Sequence, residues 1–150
     1  AWSLVQDTSW DGYEEVPLQI MKGYWTQIHE ITEQIISSNV DVLFLQVRVG
    51  SWAASIASYI MIYWENPPMI ITVEPLSANC VYKSIKTGKR VFVNNHKNTL
   101  MVGLNCGTVS KIAWEILKNY VRYSLAIPEV YTKRAMRWCA HWIKYDKVNW

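Results

Sequence analysis

A nearly continuous run of β-branched and apolar residues at positions 40–47 leads into a turn made of Val49, Gly50 and Ser51. Such a run predicts a strand that is covered on both faces, as the strands of a parallel sheet are. A stretch of small residues follows the turn, and a second apolar run occupies positions 69–74. The order strand, glycine turn, helix, strand predicts an α/β fold, in which a layered parallel sheet is flanked by helices.

The rest of the chain adds further predicted elements around this unit. Met21 and Ile28 belong to an apolar pattern with a spacing of three or four residues, which predicts a helix from Pro17 to the polar residues 37–39. The other predicted elements are a strand at 2–6, a helix at 78–86, a strand at 90–93, a helix at 112–120, a strand at 121–127 and a helix at 129–143. Because no repeat or long linker separates them, residues 1–150 are predicted to form a single α/β domain.

Composition and charge exclude several classes of protein. The 150 residues are 51% apolar and 18% charged, as in a globular domain, and a net charge of +3 is too small to argue for nucleic acid. The most apolar stretch, residues 52–64, has 13 residues, whereas a membrane span needs about 18. No secretory signal precedes it. We therefore predict a cytoplasmic protein with neither a membrane nor a nucleic acid as its partner.

The turn at Gly50 has the chemistry of an anion site. The free N–H groups and the dipole of a helix N-terminus attract phosphate, and glycine lets the backbone approach it closely. The dinucleotide-binding and Walker patterns, which need more glycines at fixed spacing, are absent. An ordinary turn between a strand and a helix is the alternative interpretation.

Four carboxylates, Asp7, Asp11, Glu14 and Glu15, lie within nine residues of one another after the first predicted strand. Ligands of open α/β sheets bind at the carboxyl ends of the strands, where a carboxylate can act as a general base or hold an amine. The alternative is a solvated loop whose acids cap a helix.

Three cysteines and one lysine are weaker candidates. Cys80 and Cys106 are 26 residues apart and each lies beside a turn, so the fold could bring them together, although unpaired buried thiols are the commoner outcome. Cys139, near His141, has no plausible metal partner. Lys97, next to a histidine, suggests a Schiff-base lysine, against the alternative of a charged loop.

The C-terminal segment alternates basic and aromatic residues. Such a pattern occurs in proteins that bind single-stranded nucleic acid or membrane surfaces. An amphipathic helix packed by Trp138, Trp142 and Trp150 is the interpretation that we prefer.

Several strings of the sequence resemble the diaminopropionate ammonia-lyases. Residues 6–17, QDTSWDGYEEVP, are similar to the family's Q-D-T-x-W-x-G-Y-x-x-[IV]-P, and residues 20–24, IMKGY, continue the likeness. Residues 44–51 resemble F-L-Q-A-G-V-G-S, and residues 99–107, TLMVGLNCG, resemble T-I-M-A-G-L-A-C-G. The likeness extends over most of residues 2–137.

The resemblance implies part of a fold-type II pyridoxal-phosphate enzyme, related to tryptophan synthase β and threonine dehydratase. It implies α,β-elimination of 2,3-diaminopropionate to pyruvate and ammonia, with a small amino acid as substrate. By position, Val49, Gly50 and Ser51 would hold the cofactor phosphate, and Asp7 would be a carboxylate of the active-site pocket. Cys80 and Cys106 match the two cysteine positions of the family.

The chain also departs from the family pattern. Arg48 replaces the first glycine of the family's G-V-G-S-M-A-G turn, and Ala54 replaces the last. If position 48 needs a positive φ or a close backbone approach, arginine would be strained there, and we expect impaired cofactor binding. A guanidinium that pairs with the phosphate is the alternative. Thr108 stands where the family has a pocket glutamate.

The resemblance places the Schiff-base lysine in the family's N-terminal half, outside these 150 residues. The segment is therefore expected to be inactive alone, and to work as a homo-oligomer or with a missing N-terminal segment. The alternative hypothesis is a degenerate α/β domain that binds a ligand or supports a structure without catalysis.

Overall fold

A computed structural model describes residues 2–35, 40–94 and 99–145. Within these ranges the strands are β1 (Val42–Gln46), β2 (Met69–Pro75) and β3 (Val121–Ile127). The helices are α1 (Glu15–Gly23), α2 (Trp25–Gln34), α3 (Ser51–Tyr63), α4 (Cys80–Thr87), α5 (Lys111–Tyr120) and α6 (Glu129–Tyr145), with a 3-10 turn at Val102–Leu104. No helix in this described part of the chain is both long and apolar enough to cross a membrane.

The three strands form one parallel sheet in the order β1-β2-β3. Phe44 of β1 is in register with Ile71 of β2, which is in register with Tyr123 of β3. Helices lie in both crossovers, with α3 between β1 and β2, and with α4 and α5 between β2 and β3. The predicted α/β fold with a parallel sheet is therefore confirmed.

One face of the sheet is buried under helices. Leu45 of β1 and Ile70 of β2 belong to a single core cluster with Ile60 of α3 and with Ala113 and Leu117 of α5. The uninterrupted small and apolar sequence of α3 suits this position, since the helix is buried along most of its length. The core thus fixes the N-terminus of α3 directly against α5.

The opposite face of the sheet carries exposed apolar side chains. Phe44 is 59% exposed, Tyr123 is 53% exposed, and Leu125 and Met69 are also exposed. Since parallel sheets are normally covered on both sides, this face has the composition of a surface that packs against something.

Three predicted elements differ from the structure. The predicted helix from Pro17 is two helices, α1 and α2, that meet at Tyr24, directly after Gly23, a weak helix former. Residues 2–6 form no strand. Residues 90–93 form none either, because the Val93 N–H donates to a backbone carbonyl, that of Gly107 (2.8 Å), but the Val91 N–H donates to the side chain of Ser84 (2.9 Å).

The C-terminal helix is present, but its predicted packing by tryptophans is wrong for the part that is described. Trp138 is 63% exposed and Met136 is also exposed. Helices α3 and α5 already fill the covered side of the sheet, and α6 borders an open groove with Met101 and Ile127 instead. The side chains of Trp142 and Trp150, and the segments containing residues 37–39 and Lys97, lie outside the described residues.

Candidate functional site

The turn between β1 and α3 requires glycine at position 50 for two independent reasons. Gly50 has φ = +96°, in the left-handed region that side chains disfavour. A Cβ atom there would lie 2.8 Å from Cδ1 of Leu117 and 3.2 Å from Cβ of Ala113. The glycine therefore allows both the turn and the close packing of α3 on α5.

A small cavity of about 40 Å³ opens at this turn. Its lining residues come from the aspartate loop, the end of β1, the turn that follows β1 and the first turn of α3: Asp7, Gln46, Val47, Arg48, Val49, Gly50, Ser51, Trp52 and Ala53. The N-cap of α3 is glycine, so no side chain of the cap accepts the first N–H groups of the helix. Free helical N–H groups around a cavity form an anion-binding arrangement.

The aspartate loop reaches the same cavity through a direct hydrogen bond. The Ser51 hydroxyl donates to the backbone carbonyl of Asp7 at 2.6 Å. Because this hydroxyl is engaged, the donors that the turn offers to an anion are its backbone N–H groups and the Arg48 guanidinium. The structure thus brings together the two segments that the sequence singled out, although 44 residues separate them.

Tyr24 is a neighbour of Asp7 that was not among the predicted site residues. Burial raises the pKa of the Tyr24 phenol, and the negative charge of Asp7 raises it further. Tyr24 is the last residue of the string IMKGY at residues 20–24, which resembles the family pattern, and this resemblance was the signal that could have identified it.

The other acids of the loop lie at the surface. Lys111 forms ion pairs with Asp11 and, at 2.6 Å, with Glu14. The hydrogen bond and charge of Lys111 lower the pKa of Asp11. Glu15 is the first residue of α1, where a negative charge suits the helix dipole. Among the four carboxylates, Asp7 is the one that lines the cavity.

Arg48 lines the cavity without backbone strain. Every positive φ value among the described residues belongs to a glycine, so the strain expected for an arginine at this position does not arise. Its backbone carbonyl accepts a hydrogen bond from the Cys80 thiol, with a sulfur–oxygen distance of 3.7 Å. Any effect of Arg48 on a ligand must therefore come from the bulk and charge of its side chain.

Cys80 and Cys106 are neighbours, as the sequence suggested, and both are free thiols. The hydrogen bond with Cys80 is the main reason that the pKa of Cys106 falls to about 6, and the charge of Arg48 contributes. The same hydrogen bond, together with burial, raises the pKa of Cys80. Of the two thiols, Cys106 is therefore the more acidic, and it is partly accessible.

Glu74 is fully buried at the end of β2, beneath the N-terminus of α4. Its carboxylate accepts the backbone N–H groups of Val81 (2.9 Å) and Tyr82 (2.6 Å), and the Cys80 thiol lies 3.7 Å away. Burial outweighs these hydrogen bonds and raises the pKa of Glu74 to about 7. Sequence reasoning missed this acid, although it belongs to the motif Val-Glu-Pro at residues 73–75.

No metal site is formed by the described residues, in which no group of three or more histidine, cysteine or acidic side chains is suitably placed. Cys139 is exposed on α6.

Comparisons with known proteins agree with this geometry. Residues 9–143 match the family described as pyridoxal-phosphate dependent enzyme. A diaminopropionate ammonia-lyase of Salmonella typhimurium is 39% identical over 142 residues, which cover 91% of this chain and 35% of the relative. The chain thus spans about a third of the length of the curated relatives that it matches.

Solved structures show the same relationship. The holo diaminopropionate ammonia-lyase of Escherichia coli superposes with a TM-score of 0.72 at 37% identity, covering 80% of this chain and 30% of that one. The apo form of the E. coli enzyme superposes with a TM-score of 0.56 at 27% identity, covering 82% of this chain and 27% of that one. The parallel sheet with its flanking helices is part of a fold-type II domain, and the chain belongs to the family of pyridoxal-phosphate dependent enzymes.

Proposed function

We propose that this chain supplies the phosphate-binding turn and the pocket aspartate of a pyridoxal-phosphate-dependent ammonia-lyase. The proposed reaction is the α,β-elimination of 2,3-diaminopropionate to pyruvate and ammonia. One observation carries the proposal: the hydrogen bond from Ser51 to Asp7 places the two segments at a single cavity.

The residues at the cavity fit a phosphate group. Val49, Gly50 and Ser51 would hold it through backbone N–H groups at the N-terminus of α3. Gly50, with φ = +96°, allows the left-handed turn that leads into this helix N-terminus. When bound, pyridoxal phosphate supplies the electron sink that stabilises a carbanion.

Asp7 would bind the substrate amine or accept a proton from the substrate. Its backbone carbonyl is held by the Ser51 hydroxyl, and the residue lines the cavity. Tyr24 lies close enough for the charge of Asp7 to raise the pKa of the phenol. A neutral phenol beside the carboxylate would act as a hydrogen-bond donor.

Arg48 would weaken the binding of the cofactor. Arg48 lines a cavity of only about 40 Å³, at a position where the family has a glycine and therefore no side chain. The alternative, in which the guanidinium binds the phosphate, predicts the opposite effect when Arg48 is replaced.

The 150-residue segment alone would be inactive. Within the described part of the chain, none of the residues that line the cavity is a lysine. The exposed face around Phe44, Tyr123 and Leu125 is where a second copy, or a polypeptide carrying the family's lysine segment, would pack. The single domain of residues 1–150 would then be one part of a larger enzyme, and its cytoplasmic location remains a prediction.

A second candidate function is a degenerate domain that binds ligands without catalysis. Arg48 and Thr108, which stand where the family has a glycine and a pocket glutamate, favour it. The two candidates predict different results when a polypeptide carrying the family's Schiff-base lysine is added. The enzyme segment would then support the elimination reaction, whereas the degenerate domain would not.

Borohydride trapping distinguishes them. The chain is incubated with pyridoxal phosphate, reduced with borohydride, digested and mapped by mass spectrometry, alone and together with a polypeptide containing the rest of the Salmonella relative. We expect stoichiometric labelling of a lysine in the added polypeptide, and pyruvate from 2,3-diaminopropionate in the mixture only. Stoichiometric labelling of a lysine in this chain would contradict the proposed division of roles, and a mixture that forms no pyruvate would favour the degenerate domain.

A further inference from the structure

Two buried serines join the aspartate loop to the N-terminus of α5. The Ser9 N–H donates to Oγ of Ser110 at 2.9 Å, and the two hydroxyl oxygens are 2.8 Å apart. The Ile112 N–H donates to Oγ of Ser9 at 2.8 Å, and the Lys111 N–H donates to the carbonyl of Ser9 at 3.1 Å. All the backbone and side-chain polar groups of Ser9 are therefore used at one helix end.

This arrangement differs from ordinary helix capping. Ser110 is the N-cap residue of α5, but its own hydroxyl forms no capping hydrogen bond. Ser9, 101 residues away in the sequence, caps the first turn of α5 in its place. The hydroxyl of Ser110 is thus left to hold the backbone of Ser9.

The same residue also contacts the proposed phosphate turn. The Ser110 N–H donates to the carbonyl of Val49 at 2.8 Å, directly before Gly50. Ser9 is two residues from Asp7, and the Asp7 carbonyl is bound by Ser51. Ser110 therefore bonds the turn with its backbone and the aspartate loop with its side chain.

We propose that Ser110 is a positioning residue, whose hydroxyl fixes the loop that carries Asp7 relative to the Val49–Ser51 turn. This inference rests on the proposed function, because it concerns the geometry of that site. Both serines are almost completely buried, so water does not replace a hydroxyl that is removed from the pair.

The test replaces Ser110 with alanine and compares it with Ser84→Ala. Ser84 is a suitable control, because it is equally buried and its hydroxyl also accepts a backbone N–H, that of Val91 at 2.9 Å, but it lies on α4. Hydrogen exchange of the Ser9 and Ile112 amides is measured together with that of the α3 amides. We expect Ser110→Ala to speed exchange at Ser9 and Ile112 by about tenfold more than at α3, and Ser84→Ala to leave this ratio unchanged.

A second readout follows Asp7 itself. The charge of Asp7 contributes to the raised pKa of Tyr24, so displacement of the carboxylate should lower the phenol's titration midpoint. This midpoint is obtained from the difference in absorbance between each protein and its Tyr24→Phe partner. Ser110→Thr, which keeps a hydroxyl, should restore both readouts, and Ser9→Ala should reproduce the effects of Ser110→Ala.

The possible outcomes separate this inference from the proposed function. Uniformly faster exchange across α3 and the loop, or unchanged exchange and unchanged Tyr24 titration, would overturn the positioning role. Failure of the unaltered chain to bind pyridoxal phosphate would instead overturn the proposed cofactor site, while selective loosening in Ser110→Ala would still establish the link between loop and turn.

Discussion

The hydroxyl of Ser51 lies 2.6 Å from the backbone carbonyl of Asp7 and donates a hydrogen bond to it. This contact joins the N-terminus of α3 to the loop that carries Asp7, so that the two segments form one site. The loop is further held by Ser110, which also bonds the carbonyl of Val49. The consequences can be tested separately for the turn, the buried acid, the thiols and the open face of the sheet.

Gly50→Ala should lower the free energy of unfolding by about 2–4 kcal/mol, because it adds both a left-handed backbone penalty and overpacking. The added methyl group would lie 2.8 Å from Leu117. Gly88→Ala is the matched control, since Gly88 also has a positive φ (+70°) but has nothing within 4 Å of its Cβ position. It should cost only about 1–2 kcal/mol. Equal losses for the two variants in urea unfolding would contradict the close packing of the turn.

Glu74 should make the protein less stable as the pH rises from about 4.5 to about 7. Burial raises the pKa of this acid from 4.5 to about 7, so the folded state holds a proton that the unfolded state has released. The stabilisation is complete below pH 4.5 and is lost as the pH rises through 7, on the order of 3 kcal/mol in total.

Glu74→Gln should remove this slope, which urea unfolding at a series of pH values would measure. The interval from pH 4.5 to 6 is the clearest, because Cys106, whose pKa is lowered to about 6, stabilises the folded state as the pH rises above that value. A variant with the same pH dependence as the unaltered chain would show that Glu74 is not protonated when folded.

Cys106 should be alkylated with a pH midpoint near 6, because hydrogen bonding by Cys80 and the charge of Arg48 lower its pKa. Cys80 is buried and should react only on unfolding. Iodoacetamide labelling at a series of pH values, with each thiol quantified by mass spectrometry, measures this order. The exposed Cys139 serves as the internal reference. Identical pH profiles for Cys106 and Cys139 would contradict the hydrogen-bonded pair.

The open face of the sheet should cause the isolated chain to self-associate. Tyr123 and Leu125 are exposed apolar residues on this face. Replacing both with lysine should shift the chain toward a monomer in sedimentation velocity experiments at increasing concentration. Ile62→Lys is the control, because Ile62 is similarly exposed but belongs to α3. If both variants changed association equally, the sheet face would not be the interacting surface.

The sequence predicted those helices, strands and turns whose own residues have a pattern typical of a single type of secondary structure. The bounds of β3, Val121–Ile127, agree with the prediction, and α5 differs from it by one residue. The glycine turn was predictable because apolar runs on each side bracket Gly50. Residues 90–93 were predicted as a strand from composition alone, but Val93 bonds a single carbonyl, that of Gly107.

The connections within the site could not be predicted in the same way. The contact between Ser9 and Ser110 joins positions 101 residues apart, and neither serine differs in sequence from an ordinary loop residue. The protonation of Glu74 depends on burial that only the packed sheet creates. The family resemblance identified the segments of the site, whereas the tertiary contacts determined how they meet.

The affinity for pyridoxine 5′-phosphate, compared with that for pyridoxine, tests the central claim most directly. Neither ligand carries the aldehyde that reacts with surface lysines, so the difference between them isolates the phosphate turn at Gly50. We expect the phosphate ester to bind more tightly in equilibrium dialysis. Arg48→Gly should strengthen its binding by about tenfold, or about 1.4 kcal/mol, and leave the binding of pyridoxine unchanged. Equal affinities for the two ligands, with no effect of Arg48→Gly, would contradict a phosphate site at this turn.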